Sequence, residues 1–154
     1  MSRYPRMIRS LVLALLLLAA VPAQAEYLIM ARSTQSFPET MLALQTSLKE
    51  HGYTVSRVQR VDIGLTSSGF ETDKYRIVFF GKPEEQRRIA AEYPQMIPYL
   101  PLKITLFAEE DETVLVTTDY TRLPELATDT KLGNQFMRWR NDINSILSEI
   151  RQAN

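Results

Sequence analysis

Apolar residues recur with two different periods along this chain, and the switches between them mark its elements. Tyr27-Leu28-Ile29-Met30-Ala31-Arg32 is a short apolar run closed by the turn-forming stretch Ser33 to Ser36, which predicts a first strand. Ser36-Phe37-Pro38-Glu39 then has the form of a capping box: the serine oxygen takes a free helix amide, proline tolerates the first turn, and glutamate reaches back to the cap. Phe37, Met41, Leu44 and Leu48 follow four, three and four residues apart, one face of a helix. Gly52, just after His51, supplies the left-handed residue that ends it.

The stretch Thr54 to Val61 is rich in valine and threonine, but Val55, Val58 and Val61 fall three apart where a regular strand places them two apart, so a bulge is predicted there. Ile63 to Thr72, with Gly64, Ser67, Ser68 and Gly69, reads as a loop, and Lys74 to Phe80 returns to strand with Tyr75, Ile77 and Phe79 on one face. After Gly81, Pro83, Glu84 and Glu85 suit a first helical turn, predicting a helix to Glu92. Pro94, Pro98 and Pro101 make Tyr93 to Pro101 an irregular connector, because each removes an amide and disfavours helix before it. Leu102, Ile104, Leu106 and Ala108 alternate as a strand with one face on the core, and Val114, Val116 and Thr118 repeat the pattern across an acidic turn, Glu109 to Glu112, giving an antiparallel hairpin. Leu132, Phe136, Trp139, Ile143, Ile146, Leu147 and Ile150 predict a long amphipathic final helix. The order β-α-β-β-α-β-β-α argues for an α+β fold, a largely antiparallel sheet with helices packed on one face.

The first 25 residues stand apart from this pattern. Arg3, Arg6 and Arg9 precede an unbroken apolar run from Leu11 to Val21, and Ala23-Gln24-Ala25 has the small-x-small form of a cleavage site, so residues 1–25 are expected to be a removed signal peptide and the mature chain to begin at Glu26. That run is shorter than the roughly 20 residues a membrane-spanning helix takes, so no stable membrane anchor is expected after cleavage. Residues 26–154 are then expected to form a single domain in the periplasm. The leader holds three arginines and no acid, so a neutral total becomes a mature charge of −3, which disfavours nucleic acid as a partner. The absence of cysteine excludes disulfides, thiolate metal sites, cysteine nucleophiles and covalent haem attachment.

Phe79-Phe80-Gly81-Lys82-Pro83 ahead of a helix, followed by Leu100-Pro101-Leu102-Lys103-Ile104 and the acidic hairpin, resembles the family known as domain of unknown function 302. The resemblance covers about Phe37 to Arg122 and implies a TATA-binding-protein-like fold. Two departures stand out: Lys82 replaces the usual asparagine, and Asp62-Ile63-Gly64 stands where members often carry a histidine. The resemblance transfers no catalytic residue.

The candidate chemistry is sparse. Gly81 and Lys82 at a strand-to-helix junction would suit an anion, opposed by Glu84 and Glu85 in the first turn. Glu109, Glu110, Asp111 and Glu112 match no metal-loop spacing and read as a solvated turn. His51 is the only histidine and sits where a helix C-terminus favours its cation, while Ser67 and Ser68 lack a nucleophile context. Tyr93, Met96, Ile97, Tyr99 and Leu100, stiffened by proline, either cap the core or line a pocket with Tyr53 or Tyr120 at its mouth; a pocket would take a small apolar or amphiphilic ligand. The expected protein is a non-enzymatic small-ligand-binding or accessory domain with no cofactor and no metal site. One alternative is an assembly module, as a homo-oligomer or with a partner. Another is a hydrolase or isomerase, which requires Asp62, Glu71 or Asp119 to converge in a cleft.

Overall fold

Five strands hydrogen-bond side by side in the order β1-β5-β4-β3-β2, every neighbouring pair antiparallel. They are β1 (Leu28–Ser33), β2 (Thr54–Arg60), β3 (Tyr75–Gly81), β4 (Leu102–Glu109) and β5 (Glu112–Thr118). The helices are α1 (Phe37–Glu50), α2 (Val61–Ser67), α3 (Pro83–Glu92) and α4 (Thr130–Gln152). This computed structural model describes residues 27–153, so the expected leader and its cleavage site before Glu26 lie outside the described residues.

Register decides which side chains meet the helices. Ala31 lies opposite Leu115, Leu115 opposite Leu106, and Ile104 opposite Val78. All five are buried, with Phe80, Leu102, Thr113 and Thr117 in the same layer. Leu44 and Leu48 of α1, Ile89 of α3, and Leu132, Phe136, Trp139, Ile143, Ile146, Leu147 and Ile150 of α4 complete this core. Each such side chain contributes about 1.5–3 kcal/mol on leaving water, which is what holds the helical layer on the sheet.

The helix ends are fixed by carboxylates. Glu39 accepts hydrogen bonds from the Ser36 hydroxyl at 2.6 Å and its amide at 3.0 Å, the expected capping box, and these bonds hold its pKa below the usual carboxylate range. Asp129 caps α4 by accepting from the Leu132 amide at 2.8 Å, which lowers its pKa too. Gly52 takes the expected positive φ, +77°, after α1.

The predicted bulge is present between Val55 and Arg57. It changes the parity of β2, so that Val55 and Val58, three apart, pair with the helix-facing Phe80 and Val78 while Arg57 pairs with Phe79 on the opposite face.

Three expectations need correction. The presumed loop Ile63 to Thr72 begins as helix: α2 occupies 61–67, its C-terminal carbonyls taken by the Ser67 and Ser68 hydroxyls, both donating to Gly64 O. The presumed irregular connector contains a 3₁₀ turn, Pro94–Tyr99; this tighter coil needs fewer amides and tolerates Pro98 inside it. In β5 the core-facing row is Thr113, Leu115 and Thr117, because Leu115 is the residue in register with Ala31 and Leu106; Val114, Val116 and Thr118 lie on the other face, where Val114, between Arg32 and Phe107 in the ladder, is also buried.

Candidate functional site

At the β3–α3 junction, Lys82 is already engaged. Its ammonium lies 4.5 Å from the centre of the Tyr53 ring and 3.8 Å from the Asp142 carboxylate. Tyr53 donates to that same carboxylate at 2.6 Å, and burial followed by this bond raises its pKa well above the ordinary tyrosine value. The space a side chain would need at Gly81 is filled by the Gln86 amide, which donates to Phe80 O at 3.2 Å. Beside it the Trp139 indole donates to Glu85 at 2.8 Å. The junction is thus a satisfied polar network joining α3 and α4.

The proline-rich connector splits. Tyr93 and Met96 are buried and Leu100 packs against the core, whereas Ile97 is 55% exposed and Tyr99 39%. Tyr93 donates to Asp129 at 2.9 Å. Tyr120 is buried against Phe136 and Trp139, donates to Tyr99 O at 3.2 Å, and has its pKa pushed up to about 12 by burial. With three connector residues turned in and two turned out, these side chains do not share one lining.

The remaining candidates are also placed individually. Asp62 is paired with Arg76, whose hydrogen bond lowers its pKa, at one end of the sheet. Asp119, at the other end beyond Thr118, accepts from the Thr121 amide and hydroxyl and faces Arg140 at 3.5 Å. Glu71 is exposed. These three carboxylates do not converge. Ser67 and Ser68 are spent capping α2. His51 meets Glu149 at 2.8 Å, and Glu149 also accepts from Ser47 at 2.5 Å, so one carboxylate ties α1 to α4; the Ser47 bond and then the His51 bond lower its pKa. Glu109 and Glu112 both grip Arg32, leaving Glu110 and Asp111 as the hairpin tip. Among the described residues no group of three or more histidine, cysteine or acidic side chains is placed to hold a metal.

Two open surfaces remain: a groove of about 410 Å³ between α1 and α4, floored by Leu42, Ala43 and Ile150, and the broader sheet face away from the core. Strand register brings Met30 opposite Val116, Val116 opposite Thr105 and Thr105 opposite Ile77, with Val114, Phe107 and Tyr75 forming the adjoining row and Thr118, Lys103, Phe79 and Arg57 the row on the other side. Tyr75, Ile77, Phe79, Phe107 and Val116 are each only partly buried, and Met30 is 48% exposed. Tyr75, Thr105, Phe107 and Val116 line a shallow depression of about 520 Å³, with Thr72, Asp73 and Lys74 along one side. That volume lies within the range of small-molecule sites, and an apolar floor of Tyr75, Phe107 and Val116 with polar groups along one side suits an amphiphile. In the sequence these residues stand out only as members of strands or of the family motif; the available signal was that β3 is apolar on both parities.

A family model described as "Domain of unknown function DUF302" matches residues 29–150. A solved structure titled as an uncharacterized conserved protein DUF302 from Bacillus stearothermophilus matches with a TM-score of 0.74 and 22% identity, covering 82% of this chain and 100% of that one, a likeness that shows the fold. No curated protein matches the chain.

Proposed function

From the premise that this chain belongs to the DUF302 family, a family whose description assigns no activity, we propose that it is an exported, non-enzymatic binding domain that takes an amphiphilic small molecule on the open face of its sheet. The observation carrying this reading is the depression between Tyr75, Phe107 and Val116, an apolar surface on the one broad face that the helical layer leaves part-exposed. Exposed apolar patches of this kind on otherwise well-packed domains mark binding sites. Export rests on the arginine-flanked apolar leader ending in Ala23-Gln24-Ala25.

The test is an amide chemical-shift titration of the purified protein with decanoate. Shifts concentrated on β3, β4 and β5, weakened by Phe107→Ala, support the reading; shifts absent or confined to α1 and α4 overturn it. Sequencing the N-terminus of protein recovered from the periplasm tests export, with Glu26 expected as the first residue.

Self-association is the second reading, favoured by the breadth of the same apolar surface, which reaches Met30 on the edge strand β1. Sedimentation of the purified protein giving a monomer mass removes it.

A further inference from the structure

The open face is electrically lopsided. At its β1–β5 corner Arg32 is held by both Glu109 and Glu112, so that corner is closed to a further anion. At the other end, Lys103 and Arg57 lie on either side of Phe79, each directly opposite it in the ladder, and both are exposed with no ion pair among the described residues. The bulge is responsible for half of this arrangement: strict alternation from Val55 would turn Arg57 toward the core, and the extra residue Ser56 turns it outward. Two strand spacings separate the two cations, roughly 10 Å, a gap that lysine and arginine side chains can bridge from both sides above one aromatic ring. Thr105, beside Lys103 along β4, leads directly into the depression.

We infer that Lys103 and Arg57, flanking Phe79, receive the anionic head of the ligand, which makes the ligand an amphiphilic anion of the fatty-acid class with its chain running over Ile77 toward Phe107. This inference rests on the open-face reading above. The acid head meets two exposed cations, so its share of the affinity is modest and sensitive to salt.

The experiment compares decanoate with 1-decanol, equal in chain and different in charge, by calorimetry and amide shifts. Decanoate is expected to bind about three- to tenfold more tightly, as two exposed charge contacts allow. Lys103→Gln combined with Arg57→Gln is expected to erase that difference, as is roughly 1 M salt, where the screening length falls to about 3 Å. The control Lys49→Gln on α1 is expected to leave it unchanged. Equal binding of the two amphiphiles, or a preference that survives the double substitution, overturns the inference while leaving the open-face site standing. Failure of both amphiphiles to bind overturns the site itself, and the head-group assignment with it.

Discussion

Phe79 and Phe80 are neighbours in sequence and differ only in which way the strand pleat turns them. Phe80 is fully buried under the helical layer, with the Tyr53 ring edge-on at 5.3 Å. Phe79 lies part-exposed between Lys103 and Arg57. The same residue type thus serves stability on one face and is available for recognition on the other, so hydrophobicity alone does not say which task a side chain performs. Burial under a second layer does.

The comparison is broken most directly by truncating each ring. Phe80→Ala is expected to cost about 3–5 kcal/mol in urea unfolding, because it leaves a cavity in a close-packed core; if that variant does not fold, Phe80→Leu should fold at a smaller cost. Phe79→Ala is expected to cost no more than about 1 kcal/mol while weakening decanoate binding. A reversed ranking would mean that the open face, too, is core. Next in size is Trp139→Phe, which keeps one aromatic ring, leaves the space of the other in the core and removes the donor to Glu85; calorimetric melting should show a loss of about 1–3 kcal/mol from the void and the lost hydrogen bond together.

Acid sharpens the contrast between the layers. Glu39, Asp129 and Glu149, which cap or clasp the helices, all have pKa values lowered by folding. Their contribution is therefore complete above the unfolded carboxylate range, near pH 4, and is lost as pH falls through the folded values. Protection of the α1 and α4 amides against exchange, taken relative to the intrinsic rate at each pH, should fall on acidification before protection in the central strands β3 and β4 does. Simultaneous loss would show that the two layers do not open separately. The smallest effect is expected for deletion of Ser56, which restores a regular ladder while leaving Val55 and Val58 inward and Arg57 outward. The melting temperature should move by only a few degrees; unfolding would show that the bulge is required by the fold.

Much of the architecture was legible because it rests on local chemistry. The Ser36–Glu39 box announced α1, the acidic turn announced the β4–β5 hairpin, and the three-residue spacing of Val55 and Val58 announced the bulge. The helix at 61–67 was hidden because glycine and serine are poor helix formers, and its serine caps act only once the turn has formed. The choice of faces was hidden for a different reason. In β3 both parities are apolar, and in β5 the buried row carries Thr113 and Thr117, so alternation could not tell which row met the helices. Only register with Ala31 and Leu106 settles it. The open face was correspondingly invisible as a site, since it is assembled from five strands scattered from Met30 to Thr118 and has no motif of its own.

The last helix carries a consequence for how the molecule comes into being. Trp139, Phe136, Ile143, Ile146 and Leu147 fill the middle of the interior, and all of them follow the five strands in the chain. Before that helix docks, Leu44 and Leu48 of α1 and Ile89 of α3 cover the apolar side of the sheet only in part. The sheet and its first helices therefore depend on α4 to complete their interior, and the domain closes as one unit.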